Sequence, residues 1–346
     1  MGGDTGPQAV VDGVALAVRH GLKAHFLFFG DEAQLRPLLL EAGLTKNAEI
    51  RHADNVVAMT DKPSHVIRRG RETSMWFAMM AAKEREADAV VSCGNTGALM
   101  ALARLQLRMI EGIDRPAISA LWPTLRGRSL VLDVGANVEA DSNQLVQFAI
   151  MGEAFYRALM GVEKPSVGLL NVGAEDLKGH ELIRSAARVL RESVPDMAFK
   201  GFVEGDDISK GTVDVVITDG FTGNIALKSA EGAARLVGTW VKEALAGTIN
   251  AKFGAIFMMP GLRKLKDRID PSSVNGGFFL GVNGIVVKSH GGANARGVAS
   301  AVDMAASLAR KPFRDEVAET VKSVRRRQHQ NVETQEAKQP VKAAAV

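Results

Sequence analysis

The sequence predicts an α/β protein with a mostly parallel sheet and helices on both faces. Apolar runs of strand length alternate with amphipathic stretches of helical length along almost the whole chain, which is the pattern of successive βαβ units. Three of those runs also stop in glycine-rich turns: Val90 to Gly97, Val131 to Asn137 and Val216 to Gly223. The first and third share a Gly-x-Thr-Gly turn followed by a helical pattern. A strand that stops in such a turn and restarts as a helix aims backbone N–H groups and the positive end of the helix dipole at one point. That geometry binds anions, phosphate above all. Two such turns side by side at the carboxyl edge of a parallel sheet would form a phosphate-handling cleft.

Taken in order, strands are expected at His25–Phe29, Ala87–Val91, Ala117–Leu121, Leu130–Asp133, Val167–Asn171, Ala198–Val203, Val213–Thr218 and Gly284–Lys288. Helices are expected at Gln8–Arg19, Ser64–Glu86, Gly97–Ile110, Asn143–Leu159, Gly179–Glu192, Gly223–Ala246 and Asn294–Ala309. The first helix follows a glycine turn, Met1-Gly2-Gly3-Asp4, with no strand ahead of it. In an α/β protein such a turn normally follows a strand, so an upstream strand is expected to be missing. Residues 248–284 break the alternation with a glycine-rich, basic and apolar stretch, expected to protrude as a loop or hairpin. Residues 325–346 are polar and aperiodic and read as a disordered tail, which leaves one α/β domain over residues 1–324.

Composition bounds the function. The chain has 346 residues, enough to bury a sizeable core. Aromatic residues make up only 5%, so that core is mainly aliphatic. A single cysteine excludes an internal disulfide framework. No apolar run approaches the roughly 18 residues of a membrane span. No signal-peptide pattern is visible. The net charge of +4 suits an anionic partner without naming one. No Gly-x-Gly-x-x-Gly follows a strand, which argues against a nucleotide-dependent dehydrogenase.

At the first turn, Asn95 Nδ2, Thr96 Oγ1 and nearby N–H groups could all donate to a phosphate oxygen; Asn and Thr also serve simply as helix caps. Asp133, Asn137 and Asp141 follow an apolar strand. They could hold a turn or a cation, with Asn137 facing substrate, or make ordinary Asx turns. Lys178 follows a glycine turn and the acidic pair Glu175-Asp176; it could neutralise phosphate or pair with its acidic neighbours. Lys228, one turn into the next helix, is similar. His290 lies in Lys288-Ser289-His290-Gly291-Gly292-Ala293-Asn294, where the last strand meets the last long helix, and could act as a proton donor or be structural. Cys93 reads as a small half-buried residue rather than a nucleophile.

Five motifs occur in this order: Met1-Gly2-Gly3-Asp4, Ser92-Cys93-Gly94-Asn95-Thr96-Gly97-Ala98, Leu132-Asp133-Val134-Gly135-Ala136-Asn137, Asn171-Val172-Gly173-Ala174-Glu175-Asp176-Leu177-Lys178-Gly179 and Thr218-Asp219-Gly220-Phe221-Thr222-Gly223-Asn224. Together they closely resemble the bacterial PlsX family of acyl-acyl-carrier-protein:phosphate acyltransferases, over roughly residues 1–320. The resemblance implies transfer of a fatty acyl group from acyl carrier protein to inorganic phosphate, directly and without an organic cofactor or a metal. The acyl phosphate would feed a downstream glycerol-3-phosphate acyltransferase. A homodimer is also implied, with a fold similar to phosphotransacetylases and isocitrate or isopropylmalate dehydrogenases. The location implied is cytoplasmic, peripheral to the inner face of the cell membrane; no nucleic-acid partner is implied.

Carried onto this chain, the resemblance places Asn95, Thr96, Lys178, Asn224 and His290 in catalysis. It places Gly2, Gly3, Asp4, Gly94, Gly97, Asp133, Asn137, Gly220, Thr222, Gly223, Lys228, Lys288 and Asn294 around phosphate and substrate. His290 would then protonate a leaving thiolate. The family usually has a strand ending in Asp-Ala ahead of the first turn, often His where this chain has Thr5, and a small residue at the position of Cys93. Within the 248–284 stretch, Phe253, Ile256, Phe257 and Met258 mix with Arg263, Lys264 and Lys266. Such a segment could lie on an anionic membrane surface, receive an acidic carrier protein, or serve as a dimerisation loop. Two other functions stay open: short-chain transfer from acyl-CoA, as in phosphotransacetylases, and a non-enzymatic membrane-associated scaffold.

Overall fold

The computed structural model describes residues 1–246, 258–261 and 276–338. In chain order the elements are α1 (Gly6–Arg19), β1 (Phe26–Gly30), α2 (Glu32–Glu41), β2 (Ala48–His52), α3 (Pro63–Arg69), α4 (Ser74–Lys83), β3 (Ala89–Ser92) and α5 (Thr96–Leu107). Then come β4 (Ala117–Thr124), β5 (Gly127–Leu132), α6 (Ser142–Met160), β6 (Ser166–Leu170), α7 (Glu181–Ser193), β7 (Ala198–Val203), α8 (Gly205–Lys210) and β8 (Val215–Ile217). The last are α9 (Gly220–Ala246), β9 (Gly277–Leu280), β10 (Ile285–Lys288), α10 (Ala295–Ala309) and α11 (Phe313–Lys338).

Eight strands form one sheet in the order β3-β10-β9-β4-β5-β8-β6-β7, and β1 and β2 form a separate parallel pair. The sheet changes direction in its middle. β3 and β10 are parallel, but β10–β9, β9–β4 and β4–β5 are antiparallel; β5, β8, β6 and β7 are then parallel to one another. β3, β10 and β4 therefore run opposite to β9, β5, β8, β6 and β7.

Helices cover both faces because their apolar stripes need burial. On one face α6, α7, α10 and α11 enclose a core around Phe148, Phe155, Leu190 and Val317. On the other, α4, α5, α8 and the start of α9 enclose Met79, Leu99, Leu102 and Val216. A third cluster joins α1, α2 and β1 to α10 through Val11, Phe28, Leu39 and Val298. Side-chain caps fix where helices begin. Asp141 accepts from Gln144 N at 2.8 Å while the Gln144 side chain returns a bond to Asp141 N, a capping box opening α6. Asn294 accepts from Gly297 N at 3.1 Å and opens α10.

Several elements differ from expectation. The helix expected over Ser64–Glu86 is two helices, because the chain turns at Gly70 and restarts where Thr73 caps Trp76 N at 3.3 Å. α2, β2, α8 and β9 were not expected, and β9 lies inside the stretch taken as a break in the pattern. The tail expected from residue 325 is helical through Lys338. Its start is held by buried Val324, by Arg325 donating to Gly112 O at 2.9 Å and by Arg327 donating to Ser193 O at 3.2 Å. Of the membrane or carrier segment, Phe253, Ile256, Phe257, Arg263, Lys264 and Lys266 lie outside the described residues. Met258 is described, helical and exposed.

Candidate functional site

Because β3 and β10 are parallel neighbours, their carboxyl ends lie side by side, and Ser289 N donates to Ser92 O at 2.9 Å. Three helices begin there: α5 after Gly94-Asn95, α10 after the turn Gly291–Asn294, and α1 after Gly2–Thr5. Asp4 N donates to Gly291 O at 2.9 Å, and the Thr5 hydroxyl donates to Ala293 O at 3.1 Å. The turns touch so closely that a side chain at Gly3 would come within 2.9 Å of Cys93 Cβ and 3.2 Å of Gly291 O. Three helix N-termini thus converge on one place, and their dipoles make it positive, against the Asp4 carboxylate that stands at the Gly291 turn.

Lys288, at the end of β10, supplies the formal charge. It is only 8% exposed, and its Nζ donates to Cys93 O at 3.3 Å and to Ser289 O. Burial pulls the Lys288 ammonium below its ordinary value, with Cys93 and Asp4 pulling the other way. The buried Cys93 thiol is pushed up by desolvation, against the Ser289 hydroxyl and the Lys288 charge, so it is a poor nucleophile at neutral pH. His290 is exposed, and its Nδ1 accepts from Gly292 N at 3.2 Å.

Asn95 is at this place but does not face it. Its Nδ2 donates to Ala58 O at 3.2 Å, Met59 O at 2.9 Å and Asp61 O at 2.9 Å, and its Oδ1 accepts from Ala98 N at 3.0 Å. The amide has no donor left for an anion. It clamps the loop at residues 58–61 onto the start of α5, and Gly97 packs against Pro63 beside it. Thr96, exposed in the first turn of α5, keeps an open position. Asn95→Ala is therefore expected to destabilise the protein by about 1–2 kcal/mol, since it removes a helix cap and the donor that ties the carbonyls of Ala58, Met59 and Asp61 to the start of α5. Urea unfolding checks this; a stable variant altered only in its KM for phosphate would restore Asn95 to direct contact.

The remaining candidates gather elsewhere. The Asp133 carboxylate is fully buried. Its Oδ1 accepts from Ile118 N, Gly135 N and Ala136 N, and its Oδ2 from Asn137 N at 2.7 Å and Asn137 Nδ2 at 2.9 Å. Asn137 Nδ2 also donates to Pro116 O at 2.8 Å. Gly220 N donates to Asn137 O at 2.7 Å, and Gly223 lies flat on Asp133 O where no side chain fits. Asp219 accepts from Thr222 N and Thr222 Oγ1, both at 2.8 Å. Asp133 and Asn137 hold a turn here, and Thr222 is bound to its own helix cap. Asn224 lies beside Gly135. Lys178 is half-exposed and paired with Glu175 at 2.8 Å, which pulls its pKa up, and Lys228 pairs with Glu231 at 2.9 Å.

The expectation that both Gly-x-Thr-Gly turns hold one anion is corrected by the sheet. β3 and β8 run in opposite directions and stand five strand spacings apart, about 24 Å. Gly2, Gly3, Asp4, Gly94, Gly97, Thr96, Lys288, His290 and Asn294 come together at one edge. Asp133, Asn137, Lys178, Gly220, Thr222, Gly223, Asn224 and Lys228 belong to the oppositely directed strands. Spacing alone does not show that α1 and α10 open at the same point as α5, although the resemblance puts Gly2, Gly3, Asp4, Lys288 and Asn294 in one set with Gly94 and Gly97. The signal was there: Gly2-Gly3 and Gly291-Gly292 both precede helical patterns.

Comparison with known proteins bears on this arrangement. The profile of a family described as "Fatty acid synthesis protein" matches residues 1–316. The phosphate acyltransferase of Maricaulis maris is 54% identical over 90% of this chain and 90% of its own length. That of Caulobacter vibrioides is 53% identical over 93% of this chain and 90% of its own. Among solved structures, a phosphotransacetylase from Streptococcus pyogenes aligns with a TM-score of 0.60 at 17% identity, covering 88% of this chain and 91% of its own. At that identity the likeness is one of fold. With the family profile spanning nearly the whole chain and relatives above half identity, this chain belongs to the fatty acid synthesis protein family.

Proposed function

We propose that the protein is a phosphate acyltransferase that moves a long-chain fatty acyl group from acyl carrier protein to inorganic phosphate. The observation that carries this reading is the convergence of three helix N-termini on buried Lys288. A site of helix N-termini and one enclosed cation, with the Asp4 carboxylate beside it, suits a small anion better than any neutral ligand. Phosphate is already nucleophilic at neutral pH, so the site's task is to position it. A phosphate oxygen attacks the thioester carbonyl carbon. The tetrahedral oxyanion then collapses, the C–S bond breaks, and the thiolate leaves on its carrier and takes up a proton. Backbone N–H groups at the helix starts would stabilise the oxyanion, and the exposed His290 would return the proton. The Asp133 turn acts at a distance by fixing the start of α9.

The product would pass to a glycerol-3-phosphate acyltransferase at the inner face of the membrane. No described helix is long and apolar enough to cross a membrane, so contact would be peripheral. Residues 235–244 of α9 are exposed all round, and Leu236, Val237, Trp240 and Val241 form one apolar stripe. That stripe supports pairing with a second copy, with residues 253–266 beyond it meeting anionic lipid.

The test is to incubate long-chain acyl carrier protein with phosphate and the protein, and trap acyl phosphate with hydroxylamine. The expected result is hydroxamate that depends on both substrates. Product from short-chain acyl-CoA alone would favour a phosphotransacetylase-like reaction, and product from neither would leave a scaffold.

A further inference from the structure

From Lys62 to Arg71 the chain holds Lys62, His65, Arg68, Arg69 and Arg71 and no acid. These residues cap, form and leave α3, and all of them are exposed. Elsewhere basic side chains commonly meet acids, as Arg51 meets Glu49 and Glu86, Lys178 meets Glu175, and Arg191 meets Asp176. Lys62, Arg68, Arg69 and Arg71 make no ion pair with a described residue. A positive patch left open in this way attracts an acidic partner and steers its approach.

The patch adjoins the three turns. α3 begins at Pro63, whose ring lies against Gly97 in the first turn of α5. Just ahead of it, residues 58–61 are clamped by Asn95, and Met59 reaches the Gly291 turn. Gly97, Ala101 and Arg104 share one stripe of α5, so the exposed Arg104 lies on the α3 side and extends the patch. Arg68 and Arg69 stand about 8–9 Å along the helix from Pro63. Composition selects among acidic partners. A lipid surface takes up apolar side chains, and α3 exposes one large apolar residue, Ile67. A nucleic-acid strand stacks on aromatic residues, and none occurs from Asp61 to Arg71. Arginines around a single aliphatic side chain suit a folded acidic protein.

We propose that α3 and the adjoining side of α5 dock an acidic face of the acyl carrier protein, which sets its thioester over the turns at Gly94 and Gly291. The inference rests on the reading that this carrier is the acyl donor. Phosphate, a small ion, does not need α3 to reach the same turns.

The test combines Arg68→Glu with Arg69→Glu and measures hydroxamate formation at varied acyl carrier protein and varied phosphate. The expected result is a carrier KM raised on the order of tenfold or more at low salt, with kcat and the phosphate KM within about twofold of the parent. Added salt should raise the parent's carrier KM and narrow the gap. Arg188→Glu with Lys200→Glu, on α7 and on β7 at the far end of the sheet, makes the same change in net charge. That control should leave the carrier KM unaltered. If the reversed variant does not fold, Arg68→Gln with Arg69→Gln is measured instead, and a smaller shift in the same direction is expected. An unchanged carrier KM in an active enzyme overturns the docking face alone, as does an equal rise in the control. Loss of binding to phosphatidylglycerol vesicles with the carrier KM unchanged also overturns it, and makes the patch a lipid contact. A parent that forms no hydroxamate from acyl carrier protein overturns the acyl-donor reading and the docking face with it.

Discussion

Replacing Lys288 with methionine is expected to lower kcat/KM for phosphate by about a thousandfold, roughly 4 kcal/mol of transition-state stabilisation. Lys288 is the enclosed cation where α1, α5 and α10 begin, and in the proposed site a buried charge beside a dianion would be little screened by water. Methionine keeps the length of the side chain and removes a desolvated charge, so the three turns stay closed and the melting temperature should not fall. The same burial predicts a pH effect. Because the ammonium is held below its ordinary value of 10.5, it loses its proton earlier than a surface lysine as pH rises, and KM for phosphate climbs with it. Lys288→Arg stays charged throughout and should abolish that alkaline limb. A methionine variant within threefold of the parent, or an alkaline limb unchanged in the arginine variant, would place the anion elsewhere.

Asp133→Asn is expected to cost about 3–5 kcal/mol of stability, because an amide sets its own N–H groups against the donors now converging on the carboxylate. The damage should spread to the start of α9, whose Gly223 rests on Asp133 O. Denaturant unfolding checks the loss. The sign with pH follows from burial, which pushes the Asp133 carboxyl up despite its N–H partners. A folded-state value above the unfolded one means that this group's contribution is present at acid pH and fades as pH rises through the raised value. The gap between parent and variant should therefore narrow across that window. A gap that widens, or a variant as stable as the parent, would show that the turn does not depend on the carboxylate.

What could be read in the sequence was local. The glycine turns after β3, β5 and β8 stand where the alternation put them, and the caps at Asn95, Asp141 and Asn294 open their helices as those residue types should. What could not be read was direction. An apolar run such as Ala117–Leu121 has the same pattern whether its strand runs up or down, and the antiparallel β9 and β4 in mid-sheet divide one expected cleft into two places. Asn95 shows the same limit in a single residue. Its cap on Ala98 N is a three-residue signal, while its bonds to Ala58, Met59 and Asp61 join segments that no spacing rule connects. β9 escaped because a four-residue strand after a glycine-rich stretch carries too little periodicity to stand out.

The packing of α1 against α10 has a consequence for how the chain is made. Thr5 meets Ala293 across 288 positions. At about 5–20 residues per second, a ribosome needs roughly 15–60 s to produce the second after the first. Until then α1 carries Val11 and Val14 with no α10 to cover them, and Gly2–Asp4 have no Lys288 to enclose. The proposed anion site therefore cannot close until Lys288 and α10 have been made, and it closes through long-range contacts, which are slow to form. During synthesis α1 waits with the apolar stripe that α10 later covers, carried by Val11 and Val14, still open to water.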